Sequence, residues 1–362
     1  MMIKLKHTLV ALALLFAVAT SAQTIGYDIE FESTFDNREF SAVEALYDRS
    51  RTDFVVSLTP TVYFRLAEGH SLNLGADFTH PIGGVAADLS VGGIIYYGYD
   101  SSKWSVSMGI IDRSRMMIDS YSTAFFAKDY LLYDRIVGGV MGRLMSGESF
   151  VEFVCDWEGQ PSETQREKFS LMSAARKYWN TLYIGYNLSI THFAGMEQEG
   201  FGNVVDNVLL NPRVGAMVEV GEVDMDLGVG YLQSLQRDRS YGNVWCAPSM
   251  VELSAKIEYR GFSLEEAIYI GDNLMPLYGG HTLDDGRVME YGEKLYAGDP
   301  TFTAEGGFYN RAELRYDRGF CDNMINLGVA FVTHATKEGL STEQMLELSV
   351  NFGGKLYGRN GK

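Results

Sequence analysis

The sequence predicts an all-β fold in the form of a single closed, antiparallel barrel of about sixteen strands, within a range of about 14 to 18. Three observations predict it. Apolar and polar residues alternate with period two in segments of about 8 to 14 residues, whereas strands of ordinary globular proteins average about 5 to 6. The connections between these segments alternate between short and long, and the chain begins with an export signal.

The first element is a secretory signal peptide. Two lysines form a basic start, about a dozen mostly apolar residues follow from Thr8 to Ala19, and small residues end the pattern at Ala22. The apolar run is too short to span a membrane as a helix. We therefore divide the chain into a signal peptide at residues 1–22 and a transmembrane β-barrel at residues 23–362.

Composition excludes several classes of function. The formal net charge is −17, and loss of Lys4 and Lys6 with the signal peptide leaves −19. Binding to nucleic acid requires clustered basic side chains and is not expected. Cys155, Cys246 and Cys321 are widely spaced, so we expect free cysteines, and no Cys/His spacing fits a metal site. No cofactor is expected.

The clearest strand pair runs from Phe54 to Phe78. Every second residue of "FVVSLTPTVYFRL" is apolar, the turn "AEGH" follows, and the alternation resumes at Leu72. The same pattern gives sixteen strand candidates, which in chain order are Tyr27–Phe40, Phe54–Leu66, Ser71–Phe78, Ala87–Tyr99, Trp104–Ile111, Leu132–Leu144, Phe150–Trp157, Lys168–Arg176, Thr181–Phe193, Leu210–Val220, Met225–Gln233, Met250–Tyr259, Phe262–Ile270, Phe302–Tyr316, Ile325–His334 and Met345–Phe352. Their lengths suit tilted membrane strands of ~9–11 residues.

Short and long connections alternate along the chain. The tight ones are "AEGH", "DSSK", "SGES", "KYWN", "GEVD", "RG" and "RGFCDN". The longer ones are Ser41–Asp53, Arg113–Tyr130, Glu158–Glu167, Ala194–Val208, Ser234–Ala247, Met275–Thr301 and Ala335–Glu343, with a briefer one at His80–Ala86. A barrel with short turns at one rim and loops at the other has this rhythm, whereas a sandwich or propeller does not require it.

Each strand has one apolar face and one polar face. A two-sheet sandwich would also alternate, with its polar face in bulk water, so the export signal, the long strands and the sorted connections together favour a membrane barrel. The apolar face then meets lipid, and the sheet must close because a bilayer offers no water to unpaired backbone groups. Asp134 and Glu266 fall on lipid-facing positions of these registers, which is costly unless a bulge, a register error or a place at the rim relieves it.

The whole mature chain resembles Gram-negative outer-membrane β-barrels and, in strand number, the general porins. The resemblance implies a location in the cell outer membrane, periplasmic short turns, extracellular loops, contacts with outer-membrane lipid and lipopolysaccharide, small polar solutes as cargo, and a possible homotrimer. It also implies that the third long connection folds into the lumen and narrows it. One departure lies at the end of the chain, where Phe352 and Tyr357 precede "GRNGK" although such barrels often finish on an aromatic residue.

Two sets of residues are candidates for the pore. The predicted lumen-facing residues are Arg135, Arg143, Arg176, Arg213, Glu152, Asp156 and Arg311. Arginines from strands 6, 8 and 10 could form a basic ladder that selects ions, or they could simply pair with acidic neighbours. The predicted constriction loop contributes Arg113, Arg115, Asp119, Lys128 and Asp129, and its apolar residues, such as Met116 and Phe126, need a surface to pack against.

The leading functional hypothesis is passive diffusion of small hydrophilic solutes through a loop-narrowed lumen. One alternative is a closed outer-membrane barrel that acts in binding or adhesion through its outer loops; the acidic connection Met275–Thr301 is expected to be an external solvated loop. A phospholipase-type enzyme would need a nucleophile and a base in contact, but His80, His192 and His334 fall on different strands and faces. We therefore do not expect an enzyme.

Overall fold

The computed structural model describes residues 22–40, 50–85, 88–195, 204–239, 244–279, 281–282, 288–289, 291–303 and 306–358. Apart from Ala22, the predicted signal peptide lies outside these residues, so the domain division stays a prediction. Within the described ranges, no helix is long and apolar enough to cross a membrane. Cys155, Cys246 and Cys321 are free, as predicted.

The chain forms a closed barrel of sixteen antiparallel strands. The barrel strands are β1 (Thr24–Phe40), β2 (Arg51–Ala67), β3 (His70–Pro81), β4 (Ser90–Asp100), β5 (Trp104–Asp112), β6 (Ile136–Ser146), β7 (Ser149–Gly159), β8 (Lys168–Trp179), β9 (Leu182–Phe193), β10 (Val205–Val220), β11 (Val223–Asp238), β12 (Ser249–Tyr259), β13 (Phe262–Gly271), β16 (Phe308–Phe320), β17 (Ile325–Thr336) and β18 (Leu340–Gly358). Two short strands, β14 (His281–Thr282) and β15 (Val288–Met289), pair with each other outside the barrel sheet.

Each barrel strand pairs with its neighbours in sequence, and β1 closes the ring by pairing with β18. The closing pair runs from Thr24 opposite Gly358 to Phe40 opposite Ser341, so the seam is at least as long as the other pairings. Closure leaves the barrel without an exposed sheet edge, which is the condition that lipid imposes on a β-structure. The predicted fold class and strand number are thereby confirmed.

All sixteen predicted strands exist, but two of them begin four or more residues later than predicted. The sixth starts at Ile136 rather than Leu132, because Lys128–Tyr133 forms a one-and-a-half-turn helix, α1. The fourteenth starts at Phe308 rather than Phe302, which lies in a 3₁₀ turn, Pro300–Thr303. In both places an apolar run that precedes the strand packs inside the barrel rather than in its wall, and period alone does not distinguish these two kinds of burial.

The tight connections lie at one rim, at residues 68–69, 101–103, 147–148, 180–181, 221–222, 260–261 and 321–324. We call this the short-turn rim. Arg260 and Gly261 both have positive φ, 50° and 86°, as expected of the type I′ turn that suits the twist of a two-residue hairpin. Both ends of the barrel, Thr24 and Gly358, also lie at this rim. The other rim, the long-loop rim, has one short connection, 337–339, where a longer one was predicted.

The two faces of the barrel invert the arrangement of a water-soluble protein. Along β2, Leu58 points outward and is 41% exposed, while Ser57 and Thr59 point inward and are buried. Outward-facing Ile95, Val229 and Phe331 are likewise about half exposed, at 51%, 49% and 46%. Apolar side chains therefore cover the outside and polar ones the inside. This outer surface is of the kind that the predicted contact with lipid requires.

Candidate pore and its lining

The connection between β5 and β6, residues 113–135, folds into the barrel; we call it inner segment 1. Met116, Phe125 and Phe126 are buried against inward-facing wall residues such as Ile111 and Val154. Polar wall residues hold the backbone of the segment as well. The Met117 N–H donates to Glu152 at 3.1 Å, and Asn187 donates to the carbonyl oxygen of Ser120 at 2.9 Å.

Arg113 anchors the start of inner segment 1. Its guanidinium donates to carboxylate oxygens of Asp134 at 2.7 Å and Asp156 at 2.8 Å, and to the carbonyl oxygens of Asp134 and Ile136 at 2.8 Å each. The side chain is almost fully buried, and the two carboxylates raise the pKa of Arg113 despite that burial, so it remains a cation. Arg113 therefore fastens the segment to the wall and does not project into free lumen.

A second connection, residues 272–307 between β13 and β16, also enters the barrel along its described parts; we call it inner segment 2. Its Leu274, Met275, Tyr296 and Phe302 are buried in the same apolar cluster as inner segment 1. The prediction of an external solvated loop over Met275–Thr301 is wrong for these residues. Asp284, Asp285, Arg287 and Glu290, which suggested it, lie outside the described residues.

The two inner segments pack against each other. The Ala127 N–H donates to the carbonyl oxygen of Ala297 at 2.8 Å, and the Asp299 N–H donates to that of Thr123 at 2.9 Å. The apolar cluster that they share includes inward residues of many strands, among them Ile94, Ile111, Val137, Met141, Val154, Met172, Leu209, Leu232, Met250, Tyr269 and Tyr309. The middle of the lumen is therefore occupied by protein, and its wall at that level is apolar.

Ion pairs that each have at least one buried partner attach inner segment 1 to the wall at β1, β2 and β16. Asp129 of α1 pairs with Arg51 and lies 3.9 Å from Arg38, while Lys128 lies 3.6 Å from Glu313.

Burial raises the pKa of Asp299 in inner segment 2, but the electrostatic influence of His334 and Arg38 and two hydrogen bonds from Thr301 outweigh it, so this pKa lies below its ordinary value.

The four arginines of the predicted basic ladder lie on the inner side, and each has acidic partners. Arg135, just before β6, bridges Glu32 and Asp77. The pairs on the other strands are Arg143 with Glu152 at 2.8 Å, Arg176 with Asp226 at 3.5 Å, and Arg213 with Glu252 at 3.8 Å. These cations are largely neutralised locally, which weakens any net positive field along that wall.

The remaining predicted residues have different roles. Arg311 is buried and pairs with Glu313. Arg115 reaches the wall at Asp100, 2.9 Å away, and lies over the Tyr96 ring. Asp119 is exposed. Glu152 and Asp156 face inward: Glu152 pairs with Arg143 and accepts the Met117 N–H, and Asp156 pairs with Arg113, so both carboxylates support inner segment 1 rather than line open lumen.

A cavity of about 610 Å³ lies on the short-turn side of inner segment 1; we call it the vestibule. Its walls come from β1–β5 and β18, and Ser114 and Arg115 reach it from the inner segment. Its charged lining residues are Asp28, Glu30, Asp100, Asp112, Arg65 and Arg115. Of these, only Asp100 and Arg115 form an ion pair with each other, so the acidic side chains predominate.

The outer face carries few charges. Asp134 is not on it: it follows α1 and pairs with Arg113, so the lipid-facing register predicted for it is wrong. Glu266 does face outward, as the sequence indicated, and accepts a hydrogen bond from outward-facing Asn310 on β16. His192 also lies on the outer face near Asp206, whereas buried His334 faces inward between Tyr309 and Glu343.

Sequence reasoning missed inner segment 2 and the buried wall cluster in which Glu343 contacts Arg38 and His334. A signal for the segment was present. Residues 291–302 contain Tyr291, Leu295, Tyr296 and Phe302, which are too apolar for a solvated loop, and the same argument had placed inner segment 1 inside. The acidic residues beside them dominated the interpretation.

No family model and no curated protein matches the sequence, but solved structures match the fold. The outer membrane protein OpdK of Pseudomonas aeruginosa has a TM-score of 0.52 at 10% identity, with 92% of this chain and all of that chain covered. OccAB1 of Acinetobacter baumannii gives 0.52 at 10% identity over 94% and 99%, and the trimer form of OmpT, an outer membrane protein of Vibrio cholerae, gives 0.50 at 9% over 91% and 99%. The chain therefore has the barrel fold of Gram-negative outer-membrane proteins.

Proposed function

We propose that the protein is an outer-membrane, porin-like channel that admits small hydrophilic solutes by passive diffusion through a lumen narrowed by inner segments 1 and 2. The short-turn rim faces the periplasm and the long-loop rim faces outward. The observation that carries the proposal is the inversion of the barrel: an apolar outside suits lipid, and a charged inside with a vestibule of about 610 Å³ suits water and solutes.

A second candidate is a closed outer-membrane barrel that acts in binding or adhesion through its outer loops. The observation that favours it is the apolar cluster shared by the two inner segments, because it fills the lumen at one level with buried side chains. The two candidate functions differ in whether the inner segments leave a continuous path for water through the lumen. An enzyme is not proposed, since His192 and His334 face opposite sides of the barrel wall.

Recording from the purified protein in planar bilayers separates the two candidates. We expect discrete channel openings, because polar and charged side chains line the vestibule up to inner segment 1. Protein that inserts but conducts no current would overturn the channel proposal and support the closed barrel. Insertion is checked independently by protease protection of the barrel in vesicles.

The same recordings are expected to show a preference for cations. Asp28, Glu30 and Asp112 line the vestibule without an ion pair among the described residues, and an acidic wall concentrates cations in a narrow aqueous space. The double variant Asp28→Asn/Glu30→Gln should lower the cation-to-anion permeability ratio, measured as the reversal potential in a KCl gradient.

The matched control for this preference is Asp322→Asn, which removes a carboxylate from the turn at residues 321–324, outside the residues that line the vestibule. Its reversal potential should equal that of the unmodified protein. A wild-type channel that prefers anions, or equal shifts in both variants, would show that the vestibule acids do not set the selectivity.

A homotrimer is the proposed assembly, and the outer face offers one place for its interface. Glu266 and its partner Asn310 form a polar pair on a surface otherwise suited to lipid, next to an apolar concavity of about 650 Å³ whose lining includes Leu253 and Ile268. A second subunit would shelter that pair from hydrocarbon. Light scattering of the detergent complex should give three chains, and Glu266→Leu should leave a larger monomer fraction than the nearby outward-facing substitution Ile270→Leu.

A further inference from the structure

A row of outward-facing side chains crosses five strands near the long-loop rim. Trp157, Phe169, His192, Asp206 and Arg237 are consecutive cross-strand partners on β7, β8, β9, β10 and β11. The Trp157 and Phe169 rings stack with centroids 5.5 Å apart, and those of Phe169 and His192 are 5.1 Å apart. The row therefore changes from aromatic to charged at a single level of the barrel.

Asp206 is the common partner of the charged side chains at one end of the row. Its carboxylate accepts hydrogen bonds from Nε of Arg237 and Nε of Arg239, each at 2.9 Å, and lies 3.2 Å from Nδ1 of His192. Trp245 lies against Arg237, with the guanidinium carbon 4.3 Å from its ring centroid. The carboxylate thus holds two arginines side by side.

The position of this cluster along the barrel axis follows from the neighbouring row of outward-facing residues. Two residues nearer the middle of the barrel, the outward-facing partners are Leu171, Ile190, Val208 and Leu235, all apolar. The cluster therefore lies where the apolar surface ends, and Arg239, at 46% exposure, extends beyond it. A lipid whose chains cover this apolar row would place its head group at the two arginines.

Few other strand positions on the described outer face carry a cation. Arg318 lies near the opposite, short-turn rim beside Phe320, and Lys177 is close to that same rim. The protein as a whole is strongly acidic, so paired arginines at the lipid boundary of the long-loop rim are not explained by composition.

We propose that Arg237 and Arg239, positioned by Asp206 and flanked by Trp245 and His192, bind the phosphate group of a glycolipid in the outer leaflet. Guanidinium groups suit phosphate because their planar forks donate paired, charge-assisted hydrogen bonds. The aromatic part of the row packs on the sugar and the upper acyl chains. The proposal rests on the placement of the long-loop rim in the outer leaflet, and it does not depend on whether the lumen conducts.

Native mass spectrometry of the full-length, delipidated protein in detergent, titrated with bis-phosphorylated lipid A, tests the site. We expect one saturable bound lipid, and binding at least about tenfold weaker in Arg237→Gln/Arg239→Gln. The single variant Arg239→Gln, at an exposed residue just beyond β11, should weaken binding several-fold without risk to folding. Dephosphorylated lipid A should bind the unmodified protein as weakly as the phosphorylated lipid binds the double variant.

The matched control is Arg318→Gln, an outward-facing arginine at the other rim, which should bind lipid A like the unmodified protein. Inorganic phosphate at the lipid concentration should not displace the lipid, since it lacks the chains that reach the apolar row. Unchanged affinity in both cluster variants, an equal loss in Arg318→Gln, or displacement by inorganic phosphate would each overturn the proposal. A silent bilayer recording with intact lipid binding would reject only the channel.

Discussion

The variant Leu346→Arg is expected to destabilise the barrel in a bilayer by about 2–4 kcal/mol, because it places a cation on the hydrocarbon side of β18 near mid-membrane. Leu346 is 47% exposed, and its cross-strand partners, Phe35 on β1 and Val329 on β17, are also apolar and outward. Urea titration of the protein refolded into phospholipid vesicles measures the change in the free energy of unfolding.

The control is Ser349→Arg, three residues along the same strand and on its inner face. Its partners are Glu32 and Asn326, so a new cation there meets water and an acidic neighbour, and we expect a change within about 0.5 kcal/mol. Equal losses in the two variants would mean that the outer face does not contact lipid. The channel and lipid proposals would then both fail.

The variant Arg113→Met is expected to cost about 3–5 kcal/mol, because it leaves the buried carboxylate of Asp156 and that of Asp134 without their cation. The start of inner segment 1 would lose its attachment to β6 and β7 as well. We therefore expect a lower free energy of unfolding in urea together with larger or noisier single-channel currents, since the segment that occupies the lumen becomes mobile.

Arg115→Met is the matched control, because Arg115 pairs with half-exposed Asp100 and is itself partly exposed. Breaking such a pair should cost at most about 1 kcal/mol. Adding Asp156→Asn to Arg113→Met should restore part of the stability, since the uncompensated charge is then gone. If Arg113→Met were no more harmful than Arg115→Met, the four hydrogen bonds that Arg113 donates would not be what holds the inner segment.

Much of the fold follows from local pattern. In β2 and β9 the alternation of side chains settles which residues face outward, because successive residues of a strand point to opposite sides. Short turns such as the one at Arg260 and Gly261 define the strand ends. The prediction failed for strand starts at α1 and at Phe302, where an apolar run belonged to an inner segment.

The candidate pore was less predictable than the barrel. The inward direction of Arg176 and Arg213 followed from alternation, but their partners did not, since Asp226 and Glu252 lie on non-adjacent strands. Likewise, nothing local reveals that Asp299 of inner segment 2 contacts Thr123 of inner segment 1. Such contacts depend on where the closed ring brings the segments.

The sequence by itself determined that long alternating strands form a barrel with an apolar outside, because a period of two assigns each residue to a face without reference to distant parts of the chain. Only the tertiary structure decided that two segments fill the lumen, that the predicted arginines are paired, and that Arg237 and Arg239 meet at one carboxylate. Ring closure sets these contacts: it brings together strands far apart in the chain, at levels fixed by the register of every hairpin between them.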